Sequence, residues 1–163
     1  MRHLITAALT IIACLGIAIP SAGAQTAKDL AGAWTLESDD GTTADGRTIH
    51  PFGPQPRGMA IFDSAGHFAI VGSRSDLPKF ASNNRMQGTA AENEAIVHGS
   101  IAFFGTYAIK DGVMVQHIEG ATWPAWVGTD QKRTIASFTG DEQTWTTVTS
   151  FGGKSELRWK RVK

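Results

Sequence analysis

The sequence predicts an all-β fold, an antiparallel up-and-down barrel of about eight strands with one short helix. Two observations predict it. From Gly32 onward, short β-prone runs alternate with clusters of Gly, Asp and Asn at intervals of roughly 8 to 12 residues. The separators Asp63-Ser64-Ala65-Gly66, Lys110-Asp111-Gly112, Thr139-Gly140-Asp141-Glu142 and Ser150-Phe151-Gly152-Gly153-Lys154 have the composition of hairpin turns, so consecutive strands are neighbours. Closing such a sheet on itself is the simplest way to leave no exposed edge.

The chain begins with Arg2 and His3, then the apolar run Leu4 to Ile19, then Pro20 and the small residues Ser21-Ala22-Gly23-Ala24. That is the pattern of a secretory signal peptide over residues 1–24, cut after Ala24, which leaves one domain over 25–163 and a periplasmic or secreted location. The run is short for a bilayer span, so no transmembrane span is expected in the mature chain. Ile11-Ile12-Ala13-Cys14 also resembles a bacterial lipobox, which would make Cys14 a lipidated terminus; the apolar run continuing past it favours the cleaved peptide. Without Cys14 the mature chain keeps no cysteine, and the fold stands on its core alone. A domain of about 140 residues can do so, because it buries roughly two-thirds of the surface its unfolded chain exposes.

Lys28 to Leu30 reads as a turn of helix. The predicted strands are Ala33–Ser38, Gly58–Phe62, His67–Gly72, Ile101–Ile109, Val113–Glu119, Arg133–Phe138, Thr144–Thr149 and Glu156–Val162. Thr89 to His98 is rich in Ala and Glu, sets Ala90, Glu94 and Val97 at helical spacing and stops before Gly99, so it predicts a short helix able to plug one barrel mouth. The prolines of His50-Pro51-Phe52-Gly53-Pro54-Gln55-Pro56 exclude a central strand and imply a stiff loop over the opposite strand ends or beside the pocket.

Lys and Arg together number 15, as do Asp and Glu, and the only basic cluster is the mixed tail Arg158 to Lys163. Nucleic acid is therefore not an expected partner. No G-x-S-x-G, H-E-x-x-H or phosphate loop is present, against an ordinary hydrolase, metalloprotease or nucleotide enzyme. His50, His67 and His98 do not fall at metal-ligand spacings, so a zinc or iron site would have to assemble by folding alone; haem on one histidine is the other cofactor option. The expectation is no metal and no cofactor.

Several stretches together resemble the bacterial and fungal lipocalin-like domain family. They are Leu30-Ala31-Gly32-Ala33-Trp34-Thr35-Leu36; Pro51-Phe52-Gly53-Pro54 with Arg57-Gly58-Met59-Ala60-Ile61-Phe62 and Gly66; then Phe104-Gly105-Thr106-Tyr107, His117-Ile118-Glu119-Gly120, Pro124 to Arg133, and Trp159-Lys160-Arg161-Val162. The ordered set spans nearly the whole mature chain. The resemblance implies a lipocalin-like barrel and, for most members, no established activity. The family tends to carry a histidine pair where this chain has Gln116-His117. In barrels that open on a G-x-W strand, the Trp closes one end under a basic side chain of the last strand, which gives Trp34 with Arg161 or Arg158 a structural role.

The candidate chemistry lies in the hairpin Ile101–Ile109 and Val113–Glu119. A two-residue turn at Asp111-Gly112 pairs Lys110 with Val113 and puts Tyr107 on one face with Gln116; a three-residue turn pairs Ile109 with Val113 and puts Tyr107 with Val115 and His117. One residue of slip exchanges the two faces. The three-residue register is preferred, because it sets a phenol, an imidazole and a carboxylate on an apolar wall beside Phe103. His117 and Glu119, two apart on one strand, would then suit proton transfer, with Tyr107 as hydrogen-bond donor. The H-x-E they form lacks the partner cysteines of zinc deaminases. Gln116 belongs to the wall in the alternative register. Trp123 and Trp126, flanking Pro124, can stack on a flat ligand or simply plug the mouth. Arg133 would anchor an anion or carbonyl if it points inward, although exposure is the commoner fate of an arginine.

The function these features point to is binding of a small hydrophobic or aromatic molecule inside the barrel. The alternative is a cofactor-independent acid–base enzyme, an isomerase, cyclase or lyase, acting on a small hydrophobic metabolite in the same cavity. Both readings place their chemistry on the one hairpin.

Overall fold

A computed structural model describes residues 25–149 and 152–163. The expected signal peptide lies outside the described residues. In chain order the elements are α1 (Ala27–Leu30), β1 (Gly32–Thr42), β2 (Thr48–Ile49), β3 (Arg57–Phe62), β4 (His67–Ser73), α2 (Ala90–Gly99), β5 (Ser100–Lys110), β6 (Val113–Ala121), a 3-10 turn (Pro124–Trp126), β7 (Asp130–Phe138), β8 (Glu142–Val148) and β9 (Lys154–Arg161). Among the described residues no helix is long and apolar enough to cross a membrane.

The expected barrel forms. Every neighbouring pair in the order β1-β3-β4-β5-β6-β7-β8-β9 is antiparallel, and β9 returns to β1 from Trp34↔Arg161 to Thr42↔Lys154, which closes an eight-stranded barrel. β2 is an unanticipated two-residue addition on the far end of β1, paired at Gly41↔Ile49 and Thr42↔Thr48. β1 runs four residues beyond its expected end, through Asp39-Asp40-Gly41-Thr42. Those residues are turn formers by composition, yet pairing with β9 along the whole length and a bulge between Leu36 and Ser38 hold them in the sheet.

One end of the barrel is solid. Thr26 caps α1 reciprocally with Asp29, the amide of each residue donating to the other's side chain. This sets Leu30, which is fully buried, over the barrel floor. Trp34 Nε1 donates to the Leu30 carbonyl at 2.9 Å. The Arg161 guanidinium lies 4.1 Å above the Trp34 ring centroid. It donates to the carbonyls of Asp29 and Ala31 at 2.7 Å and of Gly140 at 2.6 Å. The basic partner of Trp34 is therefore Arg161, which binds carbonyls left free around the end of α1. Above this floor, Phe62 meets Tyr107 edge-on at 5.0 Å and Trp145 at 5.7 Å, and Trp145 meets Trp159 at 4.9 Å.

Two close approaches need glycine. A Cβ on Gly105 would sit 2.0 Å from the His117 carbonyl oxygen, where the β5–β6 register shifts. One on Gly153, which has φ +95°, would meet the Thr42 carbonyl at the same distance.

Arg161→Lys keeps the cation but cannot reach three carbonyls while covering an indole. The substitution is expected to lower the unfolding free energy by about 2 kcal/mol, read from urea denaturation followed by tryptophan fluorescence.

Candidate functional site

The β5–β6 turn decides which side chains face inward. Asp111 and Gly112 have φ of 52° and 75°, and Lys110 stands opposite Val113. This is the two-residue turn, so the preferred three-residue register is overturned. Aspartate tolerates the left-handed region, and two residues with positive φ match the twist of the flanking strands. Tyr107 consequently stands opposite Gln116, and Thr106 opposite His117.

Met114, Gln116 and Ile118 are buried inside the barrel, while His117 and Glu119 face solvent. The His117 ring bonds Asp130 on the neighbouring strand, Nδ1 to Oδ1 at 2.8 Å, with half of its side chain in water. The expected wall of Tyr107, His117 and Glu119 does not form. Tyr107 does point inward, but toward the solid end. Its hydroxyl proton is shared between the Asp63 carbonyl at 2.8 Å and that of Ala27 at 3.0 Å. Burial, with the Asp63 charge adding to it, pushes the phenol pKa up to about 12. It is a neutral strut under α1. Gln116 is fully buried, its Nε2 against Met114 Sδ at 3.9 Å, and does not line the open cavity.

The other end of the barrel holds a cavity of about 640 Å³. Ile101 and Phe103 of β5, Trp126, Trp145 and Leu157 supply apolar walls. Phe52, from the proline-rich loop, packs its ring over Gly72 and lines the cavity, so that loop lies beside the pocket. Ile96, Val97 and His98 of α2 stand at the mouth, as does Trp123, 47% exposed. Phe103 and Trp126 meet edge-on at 5.2 Å. Phe103, Trp123, Trp126 and Arg133 thus come together here, while Gln116 does not.

Arg133 points inward rather than to solvent, and is 5% exposed. Its strand partner Met114 is buried, so the β6–β7 register turns Arg133 into the barrel with it. Sequence reasoning missed its counterpart, Asp39. Strict alternation from Trp34 and Leu36 puts Ser38 and Asp40 inside; the bulge after Leu36 shifts the parity and turns Asp39 inward, where it is likewise 5% exposed. The Ser155 hydroxyl donates to Asp39 Oδ1, and Ser155 pairs across the strands with Thr147, whose hydroxyl accepts from Arg133 Nη1 at 2.5 Å. A polar row Asp39–Ser155–Thr147–Arg133 therefore crosses β1, β9, β8 and β7 along one wall.

Residues 31–162 match the family model of the lipocalin-like domain. The chain belongs to the lipocalin-like domain family. No curated protein matches it. Among solved structures it is similar to a lipocalin-like protein from Bacteroides uniformis, at 15% identity and TM-score 0.47 over 82% of this chain and 99% of that one. It is also similar to a redesigned β-barrel, at 18% identity and TM-score 0.46 over 88% and 100% of the two chains. A redesigned β-barrel bound to DFHBI is similar at 21% identity and TM-score 0.41 over 83% and 97%.

Inside this lipocalin-like barrel the two charged groups are both pushed toward neutrality. Burial raises the Asp39 carboxyl above its ordinary value, against the opposing hydrogen bond from Ser155. Burial lowers Arg133 to about 10, against the attraction of Asp39. Because the folded-state pKa of Asp39 lies above the unfolded value of 3.8, its penalty is fully present at higher pH. It fades as the pH falls through the raised value, where the folded protein takes up the proton first. Asp39→Asn is therefore expected to be more stable than wild type at neutral pH, with the difference closing as pH approaches 3.8, measured by urea unfolding across that range.

Proposed function

We propose that this lipocalin-like protein is exported and binds a small, largely apolar molecule with aromatic character in the open half of its barrel. The observation that carries the reading is the cavity of about 640 Å³, aromatic-walled with buried polar groups on one side only, in a barrel whose other end is filled. Its size falls in the range of sites that take drug-sized ligands, and apolar walls with few polar groups are their usual lining. The helix α2 and the Trp123–Trp126 segment stand at the mouth, where they can shield a bound ligand from water. Export is supported by the charged, apolar and small-residue order of residues 1–24. Acid–base chemistry at His117 with Glu119 draws no support from the geometry, because both face solvent.

Tryptophan fluorescence, titrated with aromatic acids, terpenoids and haem, tests the reading through Trp126 and Trp145. Saturable quenching is expected in wild type. Ile101→Trp, which fills the mouth side of the cavity, should weaken binding at least about tenfold without lowering stability, whereas His117→Ala should change affinity less than about twofold. No saturable response to any member, with a folded protein, refutes the cavity as a binding site. For export, sequencing of protein recovered outside the cytoplasm should begin at Gln25; an intact Met1 would overturn export, and a lipidated Cys14 would overturn cleavage after Ala24.

A further inference from the structure

We propose that the cavity selects hydrophobic monocarboxylic acids, with Arg133 gripping the carboxylate, a proposal that rests on the cavity being the binding site. Arg133 lines the cavity yet is 5% exposed. Its hydrogen bonds both leave from Nη1, to the Thr147 hydroxyl at 2.5 Å and the Lys132 carbonyl at 3.3 Å. The Trp126 ring centroid lies 5.8 Å from the guanidinium carbon. One nitrogen is tied down, and a ring lies beside the guanidinium. Nε and Nη2 have no hydrogen-bond partner among the described residues, and no salt bridge there includes Arg133.

Those two nitrogens form the side-on edge of a guanidinium, two parallel donors whose natural partner is the pair of oxygens of a carboxylate. A buried guanidinium without a contacting counter-ion is strongly unfavourable, and a ligand that supplies one relieves it. Asp39 does not do so. It is near enough to attract Arg133 but is engaged by Ser155. Its own charge acts against a second negative charge on the ligand, which separates a monocarboxylate from a phosphate ester. Ile101, Phe103, Trp126, Trp145 and Leu157 leave the rest of the ligand an apolar surrounding.

The experiment titrates the purified protein with naphthylacetic acid, its neutral amide and naphthyl phosphate, by calorimetry and fluorescence. The acid is expected to bind about 10- to 100-fold more tightly than the amide, the range for charge-assisted hydrogen bonds, and more tightly than the phosphate. Arg133→Met should abolish the preference for acid over amide while retaining amide binding, and Asp39→Asn should tighten acid binding. Loss and gain at two buried sites of opposite charge are not what a shared structural defect produces. Equal affinity of acid and amide in wild type, or preference for the phosphate, overturns the proposal without touching the cavity reading and needs no variant to fold. Absence of binding by all three overturns the acid selectivity, while the cavity reading falls only if terpenoids and haem also fail to bind.

Discussion

A strand offers every second side chain to the barrel interior, so one extra residue exchanges inside and outside for everything beyond it. Three register shifts set that parity here: Leu36/Ser38 in β1, Phe104/Gly105 between β5 and β6, and Ile135/Ser137 in β7. The first turns Asp39 into the cavity. At the second, Glu119 is the unpaired residue, so both Ile118, opposite Gly105, and Ala121, opposite Phe103, sit on the barrel side. Past the third, Phe138 reaches the solid end, with its ring 6.1 Å from that of Trp34. The polar row of the cavity and part of the floor beneath it follow from where the strands slip.

The two halves of the barrel do opposite things with their interior. The solid half is filled by Trp34, Phe62, Tyr107 and Trp159, each buried; Trp34, Tyr107 and Arg161 bond backbone carbonyls there, while the Trp159 indole nitrogen has no partner among the described residues. The open half leaves space unfilled and buries Asp39 and Arg133, which bond Ser155 and Thr147 rather than each other, both unfavourable for folding. Stability concentrated at the floor is what allows the mouth to stay unpacked. The chain has no disulfide to share that load, since its one cysteine is Cys14.

Much of the fold was legible because it rests on local signals. Turn residues such as Asp63 to Gly66 and Thr139 to Glu142 fix hairpins, and Thr89 to His98 marks its own helix through its Ala and Glu content, with a Thr89–Glu92 capping box holding its start in the structure. Less of the site was legible, and the reason is specific. Phe103, Trp123, Trp126 and Arg133 could be gathered because residue type suggested them, but orientation depends on parity, which composition does not encode. The register at Gly112 is decided by whether Asp111 takes a positive φ, and aspartate is compatible with either outcome. Asp39 was hidden for the same reason: Asp39-Asp40-Gly41 reads as a turn until the long pairing with β9 is known.

The spacing of the polar row carries a further consequence. Had Asp39 met Arg133 directly, the two charges would have satisfied one another and the guanidinium edge would have been closed to anything else. Ser155 and Thr147 intervene, each giving its charged neighbour one neutral hydrogen bond. Attraction persists between the charges, and it opposes the burial that lowers Arg133 to about 10, a value still well above neutrality. The arginine therefore stays charged and only partly paired. Partial pairing of a buried charge is unfavourable for folding alone and favourable for binding, because a ligand that completes it gains interactions the empty protein lacks. The hydroxyls of Ser155 and Thr147, more than the charges themselves, keep this wall receptive.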